Sequence, residues 1–329
     1  SCSRVGPRRP ALSEWSESCR RTPCAVVRYG QPCAAVAGSA PVSWPVGETC
    51  AGPRWSGVVA LVCVLALVVG VGAWYARDRI GLFLGEQCSA TALGETVTFA
   101  PDQMHHASTI VLLGVKRGLP ARAGTIGIAT AIQESKLRNL SYGDRDSVGL
   151  FQQRPSQGWG TAAQLQEPVY ATNAFYDALV KVDGWQQMVI TEIAQEVQRS
   201  GYPEAYADHE HEGRAIASAL SGHSPEGFVC RLDDPTAAGR PDRFVAALDE
   251  ETGHSGTADG QTISITAADS RHAWAVGSWS VGQAKARNVV RVQVGDREWV
   301  RGSGDDAMQW RDADEPIEDT RVVVTLHDG

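Results

Sequence analysis

The sequence is short of positive charge. Its 329 residues carry 30 Lys and Arg against 38 Asp and Glu, a formal net charge of −8. Most of the excess basicity sits at one end. Residues 1–54 hold seven Arg and three Glu, a net of +4, so the remainder carries −8 − 4 = −12. A nucleic-acid partner needs a basic face, and a remainder of this sign excludes one. The five cysteines of that arm (Cys2, Cys19, Cys24, Cys33 and Cys50) contain no C-x-x-C pair, so no zinc site is expected there. Internal repeats are absent, and residues 262–329 have no phosphate-binding loop and no nucleophile–base pair. With 43% hydrophobic and 21% charged residues, wholesale disorder is excluded. The first residue is Ser rather than Met, which leads us to expect residues before it.

Charge is missing altogether from one stretch. The 22 residues from Trp55 to Ala76 contain no Asp, Glu, Lys, Arg or His. As a helix they would extend about 33 Å, enough for a hydrocarbon layer of about 30 Å. Trp55 and Trp74-Tyr75 stand where interfacial aromatics belong. A buried core helix is rarely so long and free of charge, and a cleavable signal has a shorter apolar core nearer the start. The expectation is a single transmembrane helix at 55–76 that contacts the lipid bilayer. Residues 1–54, rich in Arg, Pro, Ser and Ala, read as a disordered basic arm kept in the cytoplasm by the positive-inside rule. Residues 77–329 then face outward. Two cysteines lie there, Cys88 and Cys230, and an oxidising compartment would allow them one disulfide.

Beyond the span, residues 77–102 read as a linker and 103–230 as a mainly α domain. Helices are expected over Gln103–Arg117, from Pro120 to about Leu137, from Pro168 onward, from Thr191 to about Ser200, and from Pro203 to about Leu220. The stretch 123–132, AGTIGIATAI, is apolar nearly all round, as in a helix at the centre of a domain. Residues 231–261 read as a second linker. Residues 262–329 read as a small α/β unit of unassigned role, with strands at Thr262–Thr266 and Arg321–Leu326. Between them, a helix capped by Asp269 or Ser270 runs from His272 to Ala286, and a hairpin turns at Gly295-Asp296.

Chemistry concentrates in residues 131–160, AIQESKLRNLSYGDRDSVGLFQQRPSQGWG. Glu134 closes the buried helix. Glycoside cleavage needs a protonated carboxylic acid, whose pKa must be raised toward neutrality. Burial and the negative end of a helix dipole both push in that direction. Ser147-Val148-Gly149-Leu150-Phe151-Gln152 follows about fifteen residues later and offers close backbone approach, an apolar wall and an amide. Asp144 and Asp146 are candidates for a second carboxylate, with a self-bonded turn as the simpler reading. Trp159 between two glycines is a candidate sugar platform or a loop anchor. His209-Glu210-His211-Glu212 does not read as a metal site, because helical residues two apart diverge. His105-His106 is read in the same way.

Glu134-Ser135 followed by Gly149-Leu150-Phe151-Gln152 resembles the first two motifs of the soluble lytic transglycosylase and goose-type lysozyme superfamily. The longer strings GDRDSVGLFQQRPSQGWGT and VQRSGYPEAYA are similar to membrane-anchored actinobacterial proteins and phage-tail cell-wall modules. The resemblance covers 103–220. It implies a lysozyme-like fold with Glu134 as catalytic acid/base. Ser135, Gly149, Leu150, Phe151, Gln152, Trp159 and Tyr206 are then the substrate-binding set, with peptidoglycan glycan strands as partner and no metal or cofactor. Where that family has Ala-Tyr-Asn-Ala-Gly, this chain has Glu196-Val197-Gln198-Arg199-Ser200-Gly201-Tyr202. Two functional expectations follow: a peptidoglycan-cleaving glycosidase or lytic transglycosylase, and a non-catalytic wall-binding or assembly module with a degenerate cleft.

Overall fold

In the computed structural model the described residues are 63–64, 85–198 and 208–329. The expected arm 1–54, all but two residues of the expected span 55–76, and Tyr206 lie outside them. Among the described residues no helix is long and apolar enough to cross a membrane.

The fold is mixed α/β, with nine helices and two sheets among the described residues. Helix α1 (Pro101–Lys116) starts with Pro at N1, and the Gln103 side chain accepts a hydrogen bond from Ala100 N at 3.0 Å. It ends before Gly118, whose φ of +68° suits glycine. Helix α2 (Ala121–Ser135) is the central one expected from its composition, with Ala123, Ile126, Ile128, Ala129 and Ile132 all buried. Lys136 and Leu137, both with positive φ, end it. A four-residue α3 (Ala162–Leu165) leads to α4 (Pro168–Leu179), whose buried face is Ala171, Thr172, Phe175, Tyr176 and Leu179. Tyr176 donates from its hydroxyl to Ile110 O at 2.8 Å, which ties α4 to α1 inside the core. Helices α5 (Ile190–Gln198) and α6 (Glu210–Leu220) follow. Gly213 lets α6 close on α2, because a Cβ there would stand 2.7 Å from Thr125 O.

The segments expected as linkers carry regular structure. Residues 77–102 include strands β1 (Gln87–Ala92) and β2 (Glu95–Phe99). With β3 (Phe228–Arg231) they form an antiparallel sheet of order β2-β1-β3, so sheet edges the mainly helical region. Cys88 and Cys230 are direct cross-strand partners and form a disulfide, with Cα atoms 4.0 Å apart. Residues 231–261 include helix α7 (Pro241–Thr252) and strand β4 (Gly256–Asp259). Helix α6 begins at Glu210, and residues 203–207 of the helix expected from Pro203 lie outside the described residues.

Beyond these, β5 (Thr262–Thr266) and β9 (Arg321–Leu326) have the expected limits. Asp269 caps α8 (Ser270–Gly282) by accepting from His272 N at 2.8 Å. The helix is interrupted at Gln283 before α9 (Ala284–Arg287). Strands β6 (Val289–Val294) and β7 (Arg297–Val300) make the hairpin, and β8 (Arg311–Asp312) completes a six-stranded antiparallel sheet of order β4-β5-β9-β6-β7-β8. A buried polar network joins α1, α7 and α8. Glu251 Oε2 accepts from Thr109 Oγ1 and Trp279 Nε1, both at 2.8 Å. Burial pushes the Glu251 carboxyl above its ordinary range, against the pull of those donors and of Arg287.

Candidate functional site

Glu134 occupies the last turn of α2 and is half-buried. Its neighbour Ser135 is buried, and its hydroxyl reaches two carbonyls, Ala131 O at 3.0 Å and Leu150 O at 2.7 Å. The second contact fastens the loop carrying Gly149-Leu150-Phe151-Gln152 to the helix end that carries Glu134. Ser135 thus ties the loop to the helix, its hydroxyl already engaged.

Several further contacts fold that loop back on itself. Gly149 N donates to Leu140 O at 2.7 Å, and Val148 N to Gln153 O at 3.1 Å. Gly149 has φ +82°, and a Cβ there would stand 2.3 Å from Leu165 O, so glycine is required by conformation and by space. Asn139 Nδ2 donates to Gln166 O and Gln166 Nε2 to Leu140 O, both at 2.7 Å, which clamps the loop to the start of α4. Gln152, itself at φ +47°, spends its amide nitrogen on Gly149 O at 3.1 Å and Tyr142 O at 3.3 Å.

Leu150 and Phe151, expected as an apolar cleft wall, point the other way. Both side chains are fully buried, and Phe151 stacks on Phe175 with centroids 4.6 Å apart. The positive φ at Gly149 and Gln152 turns them into the core, so what they offer a ligand is backbone. The aromatic that the loop does expose is Tyr142, 71% accessible, which the sequence reading passed over. Its only sequence signal was an aromatic residue inside a Gly, Ser and Asp-rich loop.

The two candidate second carboxylates differ. Asp146 accepts from Ser156 N at 2.7 Å, Arg154 Nε at 2.9 Å and Ser156 Oγ at 3.0 Å. These bonds, the Ser156 backbone contact first, hold its carboxyl well below the usual carboxylate range. Asp146 is a fixed anion that shapes the loop. Asp144 is exposed, 3.9 Å from Arg145 Nε.

Trp159 is half-buried and borders a groove of about 480 Å³ shared with Gln157, Lys181, Val182, Glu196 and Gln198. Gln198 Nε2 donates to Phe151 O at 2.5 Å, so the groove and the motif loop share a strut. Glu134 is not part of the groove's described lining. Elsewhere, His209 Nδ1 lies 2.6 Å from Glu212 Oε2, a local pair. His105 and His106 are mostly enclosed within α1's packing. Burial first, then His106, pushes His105 down to about 3. Among the described residues no group of three or more His, Cys, Asp or Glu is placed to hold a metal ion.

Compared with protein-family models the chain finds no match, and no curated protein is significantly similar to it.

Proposed function

We propose that the chain is anchored in a membrane through residues 55–76 and acts outside it on peptidoglycan, cleaving the glycan strand with Glu134 as general acid. The observation that carries this reading is the Ser135 Oγ to Leu150 O hydrogen bond, 2.7 Å long. It joins the helix end that bears the half-buried Glu134 to the Gly149-Leu150-Phe151-Gln152 loop, the two motifs that carry the resemblance to lytic transglycosylases, and glycoside cleavage needs such a protonatable carboxyl. The Cys88–Cys230 disulfide suits an oxidising, extracytoplasmic setting.

Glu134 protonates the bridging oxygen and the bond to the anomeric carbon breaks. An inverting or retaining hydrolase needs a second free carboxylate. Asp146 is committed to Ser156 and Arg154, so we favour closure by a hydroxyl of the sugar itself, its proton returning to Glu134 and giving an anhydro end; the exposed Asp144 is the carboxylate left to activate water in the hydrolytic alternative. Full-length chain in detergent, incubated with purified peptidoglycan, should release fragments with anhydro ends on mass spectrometry. Fragments with reducing ends would instead mark a hydrolase. The second reading, a wall-binding module without turnover, draws on Gln198-Arg199 standing where the resembled family has Tyr-Asn. It predicts retention of the chain on peptidoglycan with no fragments. A reporter fused after Gly329 tests the topology and should be active only outside the membrane.

A further inference from the structure

The groove beside Trp159 is built as a binding surface. The backbone of Trp159 is pinned on both sides. Gly158 and Gly160 have φ of +83° and +141°, and the Tyr170 ring fills the place a Cβ at Gly160 would need, 2.6 Å from its hydroxyl. Tyr170 OH also donates to Trp159 O at 3.3 Å. Trp159 thus has its backbone fixed where its half-buried side chain borders a cavity of about 480 Å³, within the roughly 300–1,000 Å³ range of small-molecule sites. The rim is polar but close to neutral, since Lys181 and Glu196 carry opposite charges and are both exposed. Gln198 has its amide direction fixed by the bond to Phe151 O, which leaves its carbonyl oxygen as an acceptor. Gln157 adds a second amide. An aromatic ring, side-chain amides and balanced charge among the described lining residues suit a ligand with one apolar face and a hydroxylated edge.

We infer that this groove is a subsite for an uncharged N-acetylhexosamine unit of the glycan strand, stacked on Trp159 and separate from Glu134. The inference rests on the glycan reading above and names the part of the polymer recognised. A stem peptide, which carries carboxylates, is the disfavoured occupant, because the described lining offers it Lys181 but also the carboxylate of Glu196.

The test is calorimetric titration of the full-length chain in detergent with the neutral tetramer of N-acetylglucosamine. Wild type should bind it, Trp159→Ala at least tenfold more weakly, and Trp159→Phe with an intermediate loss. Gln157 is exposed, so Gln157→Ala leaves the fold intact and should weaken binding a few-fold. Absence of binding by wild type, equal binding by Trp159→Ala, or binding of an isolated stem peptide in place of the tetramer overturns the inference. The catalytic reading fails separately. If no fragments are released from peptidoglycan yet Trp159→Ala weakens tetramer binding, the groove stands without the reaction. If fragments are released and the tetramer ignores Trp159, the reaction stands without the groove.

Discussion

Replacing Ser135 by Ala removes one hydroxyl and tests how the glutamate-bearing helix holds its loop. The hydroxyl serves two acceptors. Ala131 O keeps a partner without it, since Leu137 N donates to it at 3.0 Å. Leu150 O has no other donor among the described residues, and Leu150 is fully buried. The substitution therefore orphans one buried carbonyl, at a cost of about 1–3 kcal/mol. At about 2–4 °C per kcal/mol for a unit of this size, Tm should fall by roughly 2–12 °C. Thermal unfolding of the full chain by calorimetry gives the number directly. Hydrogen exchange supplies the local readout, because the Gly149 amide bonded to Leu140 O should lose protection ahead of the α1 and α2 amides. Any glycan cleavage should drop at temperatures well below the new midpoint, since the loop loosens before the fold does. A Ser135→Ala protein with unchanged Tm and unchanged protection at Gly149 would refute the reasoning.

Removing the disulfide by Cys88→Ala with Cys230→Ala frees a closure spanning 142 residues, which chain entropy values at up to about 5 kcal/mol. The denaturant midpoint should fall markedly, and equal midpoints with and without the bridge would contradict that account. Gly149→Ala should destabilise by at least about 2 kcal/mol, because it meets both an unfavourable φ and the Leu165 carbonyl; an unaltered urea transition would show that the loop can yield. His105 gives an acid-dependent term. Its pKa is lowered to about 3 in the folded chain, so the unfolded chain takes up the proton first. The associated stability is fully present above the ordinary histidine pKa of about 6.5 and is lost as pH falls toward 3, at most about 4–5 kcal/mol. His105→Gln should flatten the fall of stability between those pH values, and an identical slope in the variant would assign it to other groups.

The longer helices other than α7, and strands β5, β6, β7 and β9 of the last sheet, were legible because their signals are local. The apolar run of α2, Pro120 and Pro168 at the starts of α2 and α4, the one-sided pattern of α4 and the Asp269 cap each lie within a few residues of sequence. Strands β1 and β2 were not. Their buried positions are Cys88, Ser89, Ala90 and Ala92, too small to stand out as an alternating apolar face. Helix α7 was hidden by the Pro and Gly-rich segments around it, although Phe244, Ala247, Leu248 and Glu251 keep helical spacing. Of the candidate site, the sequence located the glutamate, the loop and the tryptophan. It could not show which way the loop faces, because that depends on backbone signs at Gly149 and Gln152 and on contacts to Leu140, Leu165 and Phe175. Leu150 and Phe151 therefore read as surface, and Tyr142 passed unnoticed. For Asp146 the sequence offered a second carboxylate or, more simply, a self-bonded turn, and it could not name the partners Arg154 and Ser156, which lie beyond the intervening motif.

Glu134→Gln keeps the shape of the side chain and removes the proton it would donate. The most direct measurement is therefore mass spectrometry of the sugars released from peptidoglycan by wild type and by this variant, with thermal midpoints checked in parallel. If Glu134 is the general acid, wild type releases fragments and the variant at least about a hundredfold fewer, while folding and retention on peptidoglycan are kept. Equal release by the two proteins, or none by either with equal retention, contradicts a catalytic Glu134.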